Sequence, residues 1–444
     1  MAFDPRFEMA DVAIIGAGGA GLLAGIGAAQ TGARTVIFER MKVPARKVAI
    51  SGGGRCNFSN TLDARRFVRL FGDKNAGMLG NSLRALSNEE LIALLSRYGV
   101  EGQVERNYRL YTKSGRGNDV VGALVKEFES CGGTLATQSR VLTLKYSTDA
   151  AAQGGAGGSY VLEGKFNDVD EQRRARTVII CTGGLSYPVT GSTGDGYDWA
   201  RTLGHKVTPL RAALVGLSVE EAWAKALQGL AWQDAEVSLW NIPPAKALTT
   251  ERAEILFTHF GISGPAILDV SNMFVASNLP RALLTVDFFP DIKREELDLQ
   301  ILERFKQYPN RTLSRALDGM MPSRLLEHLE RSLGADASTL VTRLPKTARI
   351  KALDTLKRTT LTVTGTRGME YGEVTAGGVS WEKINPATLE SQLSPGLFFA
   401  GEILDLAGRC GGFNLQAAFS TGYLAGRSAA EKAIAQRNTI QSAL

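Results

Sequence analysis

Two short segments of this chain place reactive side chains where the backbone is least crowded. AISGGGRCNFSN, residues 49–60, sets Arg55, Cys56 and Asn57 directly after Ser51 and three consecutive glycines. A thiol beside a guanidinium ionises more readily, which makes Cys56 a candidate nucleophile or proton donor; a compact packing residue is the alternative reading. FTHFGISGP puts His259 at a strand end before a Gly-rich turn, as a second proton donor or as a satisfied structural histidine. His205 and His328, in a helix-end and a charged helical context, read as structural. Asp405, Arg409 and Cys410 gather in EILDLAGRCGGFN, just ahead of a long helical pattern. With Cys131 and Cys181 the four cysteines contain no CxxC pair, which fits neither a zinc site nor a disulfide framework and points to a reducing cytoplasm.

These groups need a scaffold, and the first forty residues predict one. DVAIIGAGGAG is a short β-branched run breaking into Gly16, Gly18 and Gly21, followed by an Ala- and Leu-rich helix ending near Gly32 and a second strand, ARTVIFER, closing on Glu39. Strand, glycines, helix, strand and terminal acid fall in the order of a dinucleotide-binding βαβ unit. Gly16 makes the sharp turn, Gly18 admits a pyrophosphate against the backbone, and Gly21 lets helix and strand pack closely. The helix start offers unpaired N–H groups to the phosphates, and Glu39 accepts from a ribose hydroxyl. The run from Val12 to Ala29 carries no charge and is about as long as a membrane span, but six of its eighteen residues are glycine and no basic segment precedes it. No membrane span and no targeting sequence are expected.

After Glu39 the alternation stops and the chain enters RMKVPARKVAISGGGRCNFSN, basic and Gly-rich. FAD suits such an excursion, with Arg40, Arg46 or Lys47 near its phosphates and the glycines near its ring; a Gly-rich surface loop with a solvated basic edge is the alternative. Two later segments favour FAD. TVIICTGGLSYP is a strand ending in Thr182, Gly183 and Gly184, and GLFFAGEILDLAGRCGGFNLQAAFSTGYLAG is a strand, a Gly401–Glu402 pair, a Gly-rich turn and a long helix. A terminal helix of this kind aims its positive end at the flavin edge where charge accumulates on reduction. There is no second GxGxxG, so a nicotinamide nucleotide would visit only transiently.

DVAIIGAGGAG, ARKVAISGGGRCNFSN, ILFTHFGISGPAIL, EVTAGGVSWEKINP and the terminal segment together resemble the BaiN/RdsA-type bacterial FAD-dependent oxidoreductases over nearly the whole chain. The resemblance implies an α/β fold: a Rossmann-like, discontinuous FAD-binding domain with an inserted β-rich plus helical domain. It also places the Gly-rich loop along the isoalloxazine, and His259 on the insert facing it. Cofactor contacts then fall to Gly16, Gly18, Gly21, Glu39, Arg40, Lys47, Ser51, Gly52, Gly53, Arg55, Cys56, Asn57, Thr182, Gly183, Gly184, Gly401, Glu402, Gly411, Gly412, Phe413 and Asn414, with Gln416 as a further helix-start contact to flavin or loop. Cys181 reads as packing.

The FAD domain is expected at 1–194 and 363–444 and the insert at 195–362, β-rich to about 290 and helical after it. The GlyAla-rich stretch 151–160 reads as a hairpin tip. Lys and Arg total 51 against 45 Asp and Glu, an excess of six that permits an anionic partner without requiring one. The resemblance implies an NAD(P)H-driven reductase of an unsaturated bond, with ribosomal RNA uridine as one candidate substrate. A small amine or steroid-like molecule, or a non-catalytic FAD-stabilised RNA-binding protein, are the alternatives. For RNA, TRLPKTARIKALDTLKR supplies Arg343, Lys346, Arg349, Lys351, Lys357 and Arg358; a solvated helix face explains the same residues.

Overall fold

The computed structural model describes residues 9–71, 73–148, 158–244, 246–333 and 338–443. It divides into two compact units, Met1–Arg211 with Val374–Leu444, and Ala212–Glu373.

In the first unit, β1 (Ala10–Ile15), α1 (Gly19–Gln30) and β2 (Thr35–Phe38) form the βαβ start. α2 (Arg46–Ile50) follows, then β3 (Asn57–Asn60), α3 (Ala64–Arg69), α4 (Asp73–Ala85), α5 (Asn88–Ser96), β4 (Gly102–Val104), β5 (Arg109–Thr112) and α6 (Gly117–Ser130). β6 (Thr134–Ala136), β7 (Ser139–Ser147), β8 (Ser159–Phe166) and β9 (Val169–Ile180) come next, then α7 (Asp195–Thr202). The main sheet runs β6-β2-β1-β9-β8-β7, and the late strand β18 (Leu397–Phe399) pairs with β9. β1 is buried at every position because parallel partners β2 and β9 flank it and both faces are covered. β9 shows the change within one strand. Its first part, Val169–Gln172, is largely exposed where it pairs antiparallel with β8, and Thr177–Ile180 is wholly buried between β1 and β18. A small antiparallel sheet, β3-β5-β4, stands apart.

α14 (Phe413–Ala443) lies on α1. The approach requires glycine: a Cβ on Gly422 would stand 2.1 Å from Ala20 O, and one on Gly426 2.0 Å from Ala24 O. The uncharged run from Val12 is therefore a buried strand and a buried helix, and among the described residues no helix is long and apolar enough to cross a membrane.

β10 (Arg211–Ala213) leads into the second unit. There β11 (Leu217–Val219), β12 (Ala231–Trp240), β13 (Ala247–Thr258), β14 (Gly261–Ser263), β15 (Ala282–Asp287) and β16 (Thr359–Thr366) close a barrel in the order β11-β14-β13-β12-β15-β16. α8 (Ala222–Ala226), α9 (Pro265–Ser277), α10 (Arg294–Gln307), α11 (Leu313–Ala316), α12 (Ser323–Ser332) and α13 (Lys346–Arg358) belong to this unit, and β17 (Val374–Ala376) follows it. The unit spans 212–373, against an expected 195–362. α7 buries Tyr197 and Ala200 in the core of the first unit, and β16, which overlaps the end of the expected helical stretch, is the strand that joins β15 to β11. Of the GlyAla-rich stretch, residues 151–157 lie outside the described residues; β7 and β8 flank it as an antiparallel pair.

Gly426→Ala forces a methyl against the Ala24 carbonyl and should cost about 2 kcal/mol, in the range of overpacked cores. Gly122→Ala, in α6 with nothing within 4 Å of the added Cβ, should instead stabilise by about 0.5 kcal/mol. Denaturant unfolding of the two variants measures both signs.

Candidate functional site

β1, β2 and β9 end level at Ile15, Phe38 and Ile180, and the residues that follow, Gly16, Glu39 and Thr182, line one cleft. α1 begins at its wall, where Gly18, Gly19 and Ala20 lie. Its N-cap is Gly18, with no side-chain cap and no acid in the first turn, leaving the first N–H groups for an anion. The fingerprint glycines have two duties. A Cβ on Gly16 would sit 2.6 Å from Cys181 O, and one on Gly21 1.8 Å from Gly16 O, so the fold itself requires both. A Cβ on Gly18 would meet nothing within 4 Å and would only fill the cleft.

Glu39 is pinned at the strand end: Oε2 accepts from the Ala17 N–H and Oε1 from the Met41 N–H, each at 2.7 Å. Each oxygen keeps a second lone pair for a ligand hydroxyl. The cleft cations are mostly committed. Arg40 donates to Thr193 Oγ1 (2.7 Å) and pairs with Asp195, which Arg140 also approaches (3.3 Å). Arg46 lines the cleft and joins no ion pair among the described residues.

Lys47 Nζ donates to Ser186 Oγ (2.6 Å) and to Glu402 Oε2 (2.8 Å), so its N–H groups are spent within the protein. Glu402 Oε1 also accepts from Ser186 Oγ and from the Thr375 N–H, both at 2.8 Å. Burial alone would raise the Glu402 carboxyl, but Lys47, Ser186 and the Thr375 N–H outweigh it and hold the group below the usual carboxylate range. Gly184 serves the same cluster: a Cβ there would stand 2.2 Å from Thr375 Oγ1, so it makes room for Thr375. Gly401, with φ +80°, would put a Cβ 2.6 Å from Ala20 Cβ, and so serves the contact with α1.

The triple glycine has a conformational cause. Gly52, Gly53 and Gly54 have φ of 56°, 69° and 87°, and Cys56 follows at 54°. A run of left-handed residues costs roughly 1–2 kcal/mol each for any L side chain, which glycine escapes. Above Gly53 and Gly54 an added Cβ meets nothing within 4 Å, leaving bare backbone open to a flat ligand. Cys56 is fully buried, and burial pushes its thiol up to about 11 against a weaker opposing hydrogen bond from Ser51. It belongs to the hydrophobic core of the first unit. Arg55 turns away to pair with Glu105 (2.7 Å) and to cover the Tyr111 ring, while Ser51 Oγ donates to Val48 O.

Of the predicted cofactor residues, Gly16, Gly18, Glu39, Arg40, Lys47, Thr182, Gly183 and Glu402 line the cleft. The loop at Ser51–Asn57 and the turn at Gly411–Asn414 adjoin each other. Asn60 Nδ2 donates to Gly411 O (3.0 Å), and the Asn57 amide, oriented to suit its neighbours, accepts from the Gly412 N–H (3.0 Å). Phe413 packs on Phe67, and Asn414 closes the turn by accepting from the Gly408 N–H (2.7 Å). Gln416 is buried and accepts from Ser59 Oγ (2.6 Å), a contact to the loop strand. His205 accepts or donates to Ser391 Oγ inside the core, His328 stacks on Trp223, and His259 lies in the barrel unit beside Arg367 Nη1 (3.3 Å). Sequence reading missed Ser186, Thr375, Arg140 and Asp195, because contacts across such separations leave no local pattern.

The cleft fits a dinucleotide such as FAD on its own features: an uncapped helix start, a glycine whose Cβ would obstruct it, a pinned carboxylate, and Thr182 Oγ1, buried without a partner. A family model described as the HI0933-like protein Rossmann domain matches residues 10–428. The chain is 30% identical over 417 residues to the ribosomal RNA dihydrouridine synthase of Escherichia coli, covering 94% of this chain and 97% of that one. It is 31% identical over 429 residues to the 3-dehydro-bile acid delta(4,6)-reductase of Clostridium scindens, covering 95% and 99%. Among solved structures, the 3-ketosteroid delta1-dehydrogenase of Sterolibacterium denitrificans superposes with a TM-score of 0.51 at 11% identity, over 96% of this chain and 100% of that one, a likeness of fold.

Lys47→Met strands Glu402 without its cation and should cost about 3 kcal/mol in urea unfolding. Because the folded Glu402 carboxyl is lowered, its contribution is fully present above the ordinary glutamate pKa and is lost as pH falls through the folded value. Stability-versus-pH curves should therefore drop less steeply in acid for Glu402→Gln. Iodoacetamide should label half-exposed Cys131 in the native protein and reach Cys56 and Cys181 only in denaturant, as mass spectrometry of peptides will show.

Proposed function

This chain belongs to the HI0933-like Rossmann family and is an FAD-dependent oxidoreductase, and we propose that it reduces a carbon–carbon double bond conjugated to a carbonyl, with uridine in ribosomal RNA as substrate. The observation that carries this reading is a common chemistry. A dihydrouridine is a uridine whose ring double bond, conjugated to C4=O, has been saturated, and a 3-dehydro bile acid with delta(4,6) unsaturation is a conjugated ketone. Two relatives that span this chain are named for those two reductions.

Bound FAD supplies hydride transfer. The chain's own residues bind and orient. The start of α1 and Arg46 take the pyrophosphate, Glu39 takes a ribose hydroxyl, and the open backbone at Gly53 and Gly54 receives the ring system. Lys47, neutralised by Glu402, fixes the wall between them. A nicotinamide nucleotide, binding transiently, is the reductant, and the reaction belongs in the cytoplasm.

The basic stripe on α13 is narrower than its sequence suggests. Arg349 pairs with Asp298, Lys357 with Asp287 (2.7 Å), and Lys351 donates to Ser332 O (2.7 Å). Arg343, Lys346 and Arg358 remain exposed as a phosphate-binding set.

Nucleoside mass spectrometry of ribosomal RNA from cells with and without the gene tests the substrate. Loss of dihydrouridine on deletion is expected, and an unchanged dihydrouridine content sinks the RNA reading. Anaerobic addition of NADPH or NADH to the holoprotein should bleach the flavin absorbance; bleaching by an amine alone would favour an oxidase instead.

A further inference from the structure

Beside the triple-glycine loop stands a polar cluster outside the cleft just described. β5 carries Arg109 and Tyr111, which share one face of the strand because side chains alternate. Tyr111 is 7% exposed, and its ring is clamped from two sides. The Arg55 guanidinium lies 4.1 Å from the ring centroid, and a Cβ on Gly52 would stand 2.9 Å from Cε1. Arg55 also pairs with Glu105 at the surface. The Tyr111 hydroxyl makes no hydrogen bond among the described residues.

Arg109 is the second member. Its Nε is buried without a hydrogen-bond partner, and its guanidinium joins no ion pair among the described residues. It lies against the turn that opens α14: a Cβ on Gly411 would be 3.5 Å from both Cγ and Nε. The buried Nε–H is a donor left for a ligand oxygen to satisfy. The pair thus brings an unanswered cation and an unanswered phenol together between the Gly52–Gly54 loop and the Gly411–Gly412 turn.

We propose that Arg109 and Tyr111 form the substrate end of the site: Arg109 holds the oxygen of a conjugated carbonyl and Tyr111 Oη gives its proton to the carbon α to that carbonyl. The proposal rests on the reading of the protein as a reductase of conjugated double bonds. Bound reduced FAD would supply the hydride that forms the C–H bond at the β-carbon, and as the π electrons move to the carbonyl oxygen Arg109 would stabilise the enolate. The enolate then re-forms the carbonyl as its α-carbon takes the Tyr111 proton, and the tyrosinate recovers a proton from water. Two electrons and one hydrogen come from the flavin, itself reduced by a nicotinamide nucleotide, and one proton comes from solvent through Tyr111. Burial raises the Tyr111 phenol, with Arg109 and Arg55 pulling the other way, so the group is protonated at neutral pH and its anion has a cation at hand. Buried Cys56 is protonated at neutral pH as well, but it is fully enclosed and has no open face from which to give its proton.

A phenol whose anion imitates the enolate tests the anchor without turnover. The FAD-loaded protein is titrated with 4-chlorophenol and the flavin spectrum followed. The wild type should bind and show a long-wavelength band, Arg109→Gln should weaken binding by about 10-fold or more, and Arg109→Lys should restore part of it. No binding to the wild type, or binding indifferent to Arg109→Gln, overturns the anchor. Tyr111→Phe should retain its FAD and its rate of bleaching by NADPH, while reoxidation of the reduced protein by ribosomal RNA lacking dihydrouridine slows by about 100-fold. Reoxidation at the wild-type rate overturns the proton donor. Failure of the wild type itself to be reoxidised by RNA counts against the RNA substrate, and the phenol titration still decides Arg109.

Discussion

α1 and α14 meet backbone to backbone. At Gly422 and Gly426 there is no space for even a methyl group, because the carbonyls of Ala20 and Ala24 occupy it, and Gly27 admits the Tyr423 carbonyl in the same way. That contact holds the last segment of the chain on the first. It sets Gly401 against Ala20, which brings Glu402 to Lys47, and it delivers the Gly411–Gly412 turn to β3. The cleft is thus assembled from both chain ends, and its walls are only as well placed as these two helices.

Much of the first unit was legible because its signals are local. A β-branched run, spaced glycines and a terminal acid specify β1, α1, β2 and the place of Glu39 without reference to anything distant. The barrel was half legible: alternation marked β12, β13 and β15, but β16 lies beyond a helical stretch and its partners β11 and β15 are far off in sequence, so the boundary at 362 fell within a strand. The cleft charges were harder. Arg40 and Lys47 read as phosphate ligands because their carboxylates, Asp195 and Glu402, sit 155 and 355 residues away.

The glycines of the loop show a different limit. Sequence reading assigns them to close approach of a ligand. In the structure the space above Gly53 and Gly54 is open, whereas Gly52 is confined by Tyr111 and Asn57, and all three share a left-handed backbone. One composition therefore answers two demands, and only the coordinates separate them. Cys56, left-handed again after right-handed Arg55, gains attention from its neighbours and turns out to be core.

The discontinuity of the first unit has a consequence for how the protein is made. Synthesis proceeds from the N-terminus, so β9 emerges long before β18, the strand that covers its edge, and α1 long before α14. The barrel unit, contiguous in sequence, is complete on the ribosome while the dinucleotide cleft still lacks Glu402 and the helix that seats it. Assembly of the cleft then waits for Glu402 and α14, and until they emerge an apolar sheet edge depends on whatever shields nascent chains.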